Sequence, residues 1–523
     1  MMKIAQSEIN DKAEKLLKLA EELGVFVQQA AQQGKSLYET EKGILAAVLK
    51  MGRRATDMFL RLQGDGDLGE TVETKDGEVL FRSEEPVRRP LRSVFGEHAF
   101  AAYVYSPGPK KKIALRPIDA RLNLPEGKGS YLWEEVSQYF CVEQAFGQAA
   151  QTLQSVLGQK ISVDTLERTN QRLGDQAEEF LDTLPTPPPK EEGELLVATA
   201  DGKGVPLIRE QAAATPVHGA KPLRPNNRRM ATLACVYSVD RHVRTAEDVV
   251  AALFRDKRPS LEESARRPRP CHKRMTACFS TVAEAGSEDE LRIRGDVRAW
   301  SWAAQQIETR RRDEQVLIRL CDGQQSLWDA SDICLGLDLE PDMGKSTERS
   351  PVVDILDIIH VAGYVWSAGR AFFGKDEKAV EQFARHRLLR LLEGQTRGVI
   401  SGMRRMVSQR KLRGEKRKEV MKACNYLEKN VDRMRYHEYL AQGYPIASGV
   451  IEGACRHLVK DRMERTGMRW REPNAGSMLF VRAVEVTGLW DAFQLRRQAS
   501  EQTRLHPHRG LLRDYAPNAG IAA

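Results

Sequence analysis

No apolar run in these 523 residues is long enough to span a bilayer; a spanning helix takes about 20 apolar residues, and the runs here are short and broken by polar side chains. No membrane partner is expected. Cysteine is sparse: eight residues, at 141, 235, 271, 278, 321, 334, 424 and 455, with no C-x-x-C pair. That spacing excludes a disulfide framework and a four-cysteine zinc site, and it fits a reducing cytoplasm. Cys271, His272 and Cys278 are too irregularly spaced to favour a metal site. The first residues, MMKIAQSEINDKAEKLLK, carry charge without an apolar signal core, so export is not expected. Excess charge of one sign is small: 81 Lys plus Arg against 73 Asp plus Glu leave +8. Where the cations fall therefore matters more than their sum. With 41% hydrophobic and 29% charged residues the composition is globular, and the length implies two to four domains.

Residues 1–63 form a helical segment, with amphipathic helices over 7–33 and 38–62 and Leu16, Leu19 and Leu23 at helical spacing. A small β unit follows over 64–130: the loop GDGDLGET, then short runs EVLFRS, FAAYVYS and KIALRPID. Residues 131–183 turn helical again. Two apolar-periodic segments, WEEVSQYFCVEQAFGQAAQTLQSVLG and VDTLERTNQRLGDQ, flank the turn GQKIS, and Ser162 caps the second. That helix presents Thr165, Arg168, Gln171 and Arg172 outward. The layout fits a helix-turn-helix whose second helix enters a DNA major groove, and equally a plain helical hairpin packed on its neighbours. LPTPPPKEEG, 184–193, is a stiff, extended linker ahead of a new domain.

In residues 194–374 strands alternate with helices, the pattern of an α/β sheet. Strand ELLVATA ends on Asp201, and RRMATLACVYSVD, 228–240, is the second strand. A helix runs from Thr245 through EDVVAALF, a basic loop covers 255–275, and another helix lies near 296–312. Strand QVLIRLC ends on Asp322-Gly323, and strand SPVVDILDIIH carries Asp357 and His360 at its end. Residues 375–445 are a helical block holding the strongest basic run, MRRMVSQRKLRGEKRKEVMK, with nine Lys or Arg against two Glu. Residues 446–495 close the core with a helix that Ser448 caps and that carries Glu452; 496–523 are a tail.

Asp201 and Asp322 each leave a strand and each precede a glycine. Ligands gather at the carboxyl ends of strands in open α/β sheets, and Mg²⁺ is usually held by one or two carboxylates plus substrate phosphates. Glu452, on a helix facing the sheet, completes a site for two ions about 3.5–4 Å apart, the arrangement that serves phosphoryl displacement. Glycine beside each Asp lets a nucleic-acid backbone approach closely. Taken singly, Asp-Gly after a strand is also a routine turn.

The segments ADGKGV (200–205), CDGQQSLW (321–328), LDIIHVAGYVW (356–366) and SGVIEGACRHLVKDRMERTGMRW (448–470) resemble DDE transposases of bacterial insertion sequences of the ISKra group, a design similar to Mutator-like transposases. The resemblance covers roughly residues 130–495, and the last segment is the most specific. It implies an RNase H-like catalytic domain with a helical insertion, preceded by the mostly helical DNA-binding region. It also implies Asp201, Asp322 and Glu452 as catalytic and metal-holding residues, with two Mg²⁺ ions for which Mn²⁺ substitutes. Asp357 and His360 match a D-x-x-H signature, as a contact to phosphate or strand end; a core histidine satisfied by Asp357 is the plainer alternative. Arg456 and Lys460 form a basic stripe toward the scissile strand, or else steady a helix. Arg404, Arg405, Lys411, Arg413 and Lys416 in the helical block, with Lys203, Arg168 and Arg172, are the candidate DNA contacts; long basic helices are also often merely solvated. Relatives carry a Cys-rich knuckle before the helix-turn-helix, but YVYSPGPKKKIALRPID has no Cys or His, so no structural zinc is expected and Lys110–Lys112 is a candidate DNA-facing loop. The partners implied are the element's terminal repeats and target DNA, bound by a homodimer or larger assembly at the bacterial nucleoid. A nuclease that cuts without joining, or a catalytically dead DNA-binding regulator, shares most of these features.

Overall fold

The computed structural model describes residues 6–208, 228–256, 260, 262, 265, 267–282, 292–337, 351–465 and 468–516. They build a mixed α/β protein in two compact units, Met1–Gln176 with Leu489–Ala523, and Ala177–Gly488. No described helix is long and apolar enough to cross a membrane.

In the first unit α1 (Gln6–Gln32) and α2 (Leu37–Leu62) pair along the expected helices, and Ser36 with Glu39 forms a capping box at the start of α2. The small β unit comprises an antiparallel sheet of β1 (Thr71–Glu73), β2 (Val79–Arg82) and β5 (Tyr105–Ser106), and a hairpin of β3 (Val87–Ser93) and β4 (Gly96–Ala102). KIALRPID is not a strand. Only Leu115 pairs, with Tyr105, and Pro117 then opens α3 (Pro117–Leu122); proline suits a first helical position because it has no amide to leave unpaired. The long segment 133–158 is two helices, α4 (Tyr131–Glu143) and α5 (Phe146–Leu157), because Gln144 leaves the helical backbone at φ −119°, ψ 158°. α6 (Val163–Asp182) follows, and Ser162 Oγ accepts from the Thr165 amide at 3.2 Å as expected of a cap. Arg172 is not an outward residue. It turns back to the buried Glu134 carboxylate, which Arg497 also grips; a buried anion needs such partners.

The supposed tail therefore belongs to this unit. Arg497 lies on the helix Trp490–Leu505, and Tyr515 Oη donates to the Gln63 carbonyl at 2.8 Å while accepting from the Gly66 amide.

In the second unit the proline-rich segment is no free linker. Glu192 makes a fully buried pair with Arg310, and Gln315 Nε2 donates to the Gly193 carbonyl at 2.7 Å. The division between units falls earlier, inside α6. A five-stranded sheet follows, in the order β12-β11-β6-β7-β8. Its strands are β6 (Leu195–Pro206), β7 (Arg228–Val239), β8 (Cys271–Cys278), β11 (Val316–Cys321) and β12 (Val352–Leu356); β9 (Thr281–Val282) and β10 (Arg292–Ile293) form a separate ribbon. Only β7 runs against the others. β8 begins within the stretch expected as basic loop, taking in its last residues, 271–275. Its eight residues set Cys271, exposed, and Cys278, buried, at opposite ends, so they share no ion.

α7 (Ala246–Phe254), α8 (Gly295–Arg310) and α9 (Gln325–Leu335) complete this part of the chain. One sheet face buries Leu196, Ala198, Ala200 and Leu317 against Trp300 of α8 and Trp328 of α9. Beyond β12 lies a helical block: α10 (Ile358–Phe373), α11 (Glu377–Leu392), α12 (Thr396–Gln409), α13 (Gly414–Lys429) and α14 (Tyr436–Ala441). It thus begins earlier than residue 375. The basic run is split between α12, a turn and α13 rather than forming one helix. α15 (Gly449–Ala454) then packs on β6 and β7, passes into a π-helical turn over Cys455–Lys460, and ends in α16 (Asp461–Met463); α17 (Glu472–Val486) covers β8.

Candidate active site

Three carboxylates line one edge of the sheet. β11 pairs in parallel with β6, Arg319 opposite Ala198, and with β12, Cys321 opposite Leu356. Carried onward in step, this register sets Asp322 opposite both Asp201 and Asp357. The edge is the carboxyl end of the parallel strands β11 and β12, where side chains stand clear of the sheet. Asp201 departs from expectation in one respect: its strand does not stop there. β6 continues to Pro206, pairing Asp201 with Leu233 and Gly202 with Thr232 of β7. The Asp-Gly-Lys-Gly sequence is hence ladder, and Asp201 marks where β11 ends beside it.

Asp357 is not a strand residue but the cap of α10, and His360 lies in that helix's first turn. Asp357 is wholly buried, and each of its oxygens receives two donors. Oδ1 accepts from the amides of Ser448 (2.9 Å) and Ile359 (3.1 Å); Oδ2 accepts from the His360 amide (3.3 Å) and meets His360 Nδ1 at 2.7 Å. Ser448 thus serves the site by its amide and makes no side-chain cap for α15. Ligand atoms of Asp357, His360 and Glu452 all lie within 4.8 Å of one another, the one so compact group of metal-ligating residues among the described residues.

That group is better suited to be a hydrogen-bonded clip than a metal site. Asp357 has its lone pairs engaged. Its hydrogen bond, and then its charge, lift His360 to about 9, and the Nδ1 of the imidazole is taken up by that bond. Spare acceptor capacity lies instead on Asp201, Asp322 and Glu452. Asp322 Oδ1 takes one amide, from Gln324 at 2.9 Å, and Asp201 takes the Gly202 amide at 2.7 Å and the Cys455 thiol at 3.1 Å. No hydrogen bond holds the Glu452 carboxylate among the described residues.

Burial pushes the carboxyl groups of Asp322 and Glu452 above their ordinary range, and neighbouring negative charge adds to it. Asp201 and Asp357 act on both; His360 opposes them in each case. Asp201 and Asp322 therefore sit close enough to repel, as do Asp201 and Glu452, with no Arg or Lys paired to any of the three among the described residues. Oxygen-only donors, partly buried, fit a hard divalent cation. Cys455 was not signalled by the sequence. Burial first, and then the charge of Asp201, raise its thiol, which stays protonated and donates to Asp201.

The candidate DNA contacts divide into committed and open residues. Arg172 is held by Glu134, and Arg404 makes a two-pronged pair with Glu428 at 2.6 and 2.9 Å. Arg168 is exposed but pairs with Asp164 at 3.2 Å. Arg405, Lys411, Arg413 and Lys416 are exposed and make no ion pair among the described residues. Lys110–Lys112 are likewise exposed. Lys203 lies near enough for its charge to act on the Cys455 thiol. Arg456 is mostly exposed, 3.8 Å from Asp461, and Lys460 is exposed at the end of the π-helical turn. That wider turn breaks the regular helical spacing on which the Glu452–Arg456–Lys460 stripe was drawn. Among known proteins, no family model and no curated protein matches this sequence.

Proposed function

We propose that the protein is a metal-dependent DNA strand-cleaving and strand-joining enzyme, a transposase of the DDE kind with an RNase H-like core. The observation that carries this reading is that Asp201 of β6 lies near enough for its charge to act both on Asp322, just past the end of neighbouring β11, and on Glu452 of α15, with no Arg or Lys ion pair on any of the three among the described residues. The mixed sheet, and the helical block between β12 and α15, support the RNase H-like reading with an insertion.

Asp201, Asp322 and Glu452 would hold two Mg²⁺ ions, or Mn²⁺ in their place. When bound, such ions stabilise charge at the scissile phosphate and make water or a 3′-hydroxyl a competent nucleophile. The chain's own residues set the geometry. Asp357 ties the starts of α10 and α15 together and thereby sets the height of Glu452 over the sheet. His360 presents a cation toward Glu452 and toward an incoming phosphate. Cys455 fixes one oxygen of Asp201. Exposed cations of α12, α13 and the turn between them would contact the DNA backbone, and pairing two element ends calls for a homodimer or larger assembly, working in the cytoplasm.

Cleavage of DNA flanking the gene, with Mg²⁺ or Mn²⁺ and with neither, tests the reading. Asp201→Asn, Asp322→Asn and Glu452→Gln should each abolish cleavage while leaving DNA binding nearly intact. Undiminished cleavage in any of them would refute the assignment. Cleavage without joined product would leave a nuclease of the same fold, and binding without cleavage by the unaltered protein a regulator.

A further inference from the structure

A cavity of about 370 Å³ opens beside Glu452, and the chemistry described above makes no use of it. α10 supplies Ile359, Gly363 and Tyr364, among others, and α13 supplies Glu419 and Lys422; His360 and Glu452 also line it. The space beside Gly363 is open: a Cβ there would meet nothing within 4 Å. Tyr364 forms a flat wall. Tyr426 stacks on one of its faces, with centroids 3.9 Å apart and planes 18° from parallel. Tyr426 is itself lodged against Gly323, where a Cβ would come within 2.3 Å of its ring. The aromatic pair is therefore anchored directly to the backbone beside Asp322. Lys422 Nζ lies 5.8 Å from the Tyr364 centroid, an exposed cation on a flexible stem.

We propose that this cavity receives one unpaired nucleobase of the DNA strand bound at the carboxylates, stacked on Tyr364, its phosphate drawn to Lys422. The inference rests on the DNA-cleaving reading and adds a subsite to it. The volume falls within the range of small-molecule pockets. Aromatic side chains bind unstacked bases by their π faces, whatever the base. A base within a duplex has both faces covered and cannot enter, so the site selects DNA in which a nucleotide next to the reacting phosphate is unpaired or extruded. Glu419 and Glu452 can accept from base amino groups, which a nucleobase offers and a free phosphate does not.

The test uses the full chain with Ca²⁺ and two short DNA duplexes, one with a single bulged 2-aminopurine and one fully paired. The unaltered protein should bind the bulged duplex about ten-fold more tightly and quench the 2-aminopurine fluorescence. Tyr364→Ala and Gly363→Leu should lose both the preference and the quenching but bind paired DNA as before, while Tyr364→Phe keeps both. Gly363→Leu adds atoms to open space, so it decides the matter if Tyr364→Ala fails to fold by thermal denaturation. Equal affinity of the unaltered protein for both duplexes, or preference retained in Gly363→Leu, overturns the subsite alone. Failure to bind either duplex overturns the DNA-cleaving reading with it.

Discussion

Asp357 and Asp322 each follow the last residue of neighbouring strands, yet their surroundings make opposite demands on them. Burial by itself would raise Asp357, but hydrogen bonds from His360, Ser448 and Ile359 outweigh it and hold the carboxyl below its ordinary range. Its ionised form therefore stabilises the fold above the unfolded pKa, and that contribution is lost as pH falls through the folded value. His360 has the complementary window: its contribution is complete below its ordinary 6.5 and disappears as pH rises through about 9. Replacing Asp357 by Ala strands the amide donors of Ser448 and Ile359, and should cost about 3 kcal/mol by urea denaturation. It should also return His360 toward its ordinary pKa, which an NMR titration would follow. Asp322 and Glu452 behave in the reverse sense. With folded pKa values raised, they favour the fold when protonated, and without divalent ions stability declines as pH rises through those values. Asp322→Asn or Glu452→Gln should thus raise the melting temperature of the ion-free protein at neutral pH. Added Ca²⁺ should stabilise the unaltered protein by mass action and do far less for either variant. A lower melting temperature for both variants would contradict the charge crowding inferred at the site.

At the level of elements, the two Asp-Gly pairs have different reasons. Gly202 lies in a strand, where a Cβ would sit 3.1 Å from the Met230 sulfur. Gly323 is required by Tyr426, whose ring crosses its Cα from α13. Gly323→Ala should cost roughly 1–3 kcal/mol by overpacking, and pairing it with Tyr426→Ala should recover part of that loss in a double-mutant cycle. Additive losses would show that the two residues do not press on each other. Neither glycine's packing role could be read from the chain, since both neighbours are distant in sequence. What was legible followed local rules: the β6, β7, β11 and β12 apolar runs, the helix start at Thr245, the Ser162 cap, and the carboxylate directly after β11. Misreadings arose where long-range pairing decides. Asp201 seemed to end its strand because glycines usually break one, but β7 supplies ladder partners as far as Pro206. His360 was placed on a strand, though Asp357 takes the capping role that starts α10 one residue later. The π-helical turn after Glu452 left no local mark at all.

Across the whole molecule, the sequence is laid out as consecutive blocks, but the contacts return the last helix to the first unit. Arg497 and Glu134 are 363 positions apart, and only the fold reveals that this buried arginine has an acidic partner. The same distinction separates cations that can serve DNA from those already spent on the fold. Arg172 and Arg404 belong to ion pairs, whereas Arg405, Lys411, Arg413 and Lys416 are exposed without one among the described residues. A net charge of +8 is too small to separate these groups; their partners do. Binding through phosphates releases counterions, so the logarithm of affinity falls with the logarithm of salt by about 0.9 per phosphate contact. Changing the four open residues to Ala together should flatten that slope by up to about 3.6 and weaken binding to unrelated DNA sequences alike. Arg404→Ala alone should leave the slope nearly unchanged, because its guanidinium is bound to Glu428. Affinity measured from low to moderate salt checks both. If the fourfold variant kept the full slope, the exposed cations of α12 and α13 would be a solvated face, and the DNA backbone would have to be gripped elsewhere.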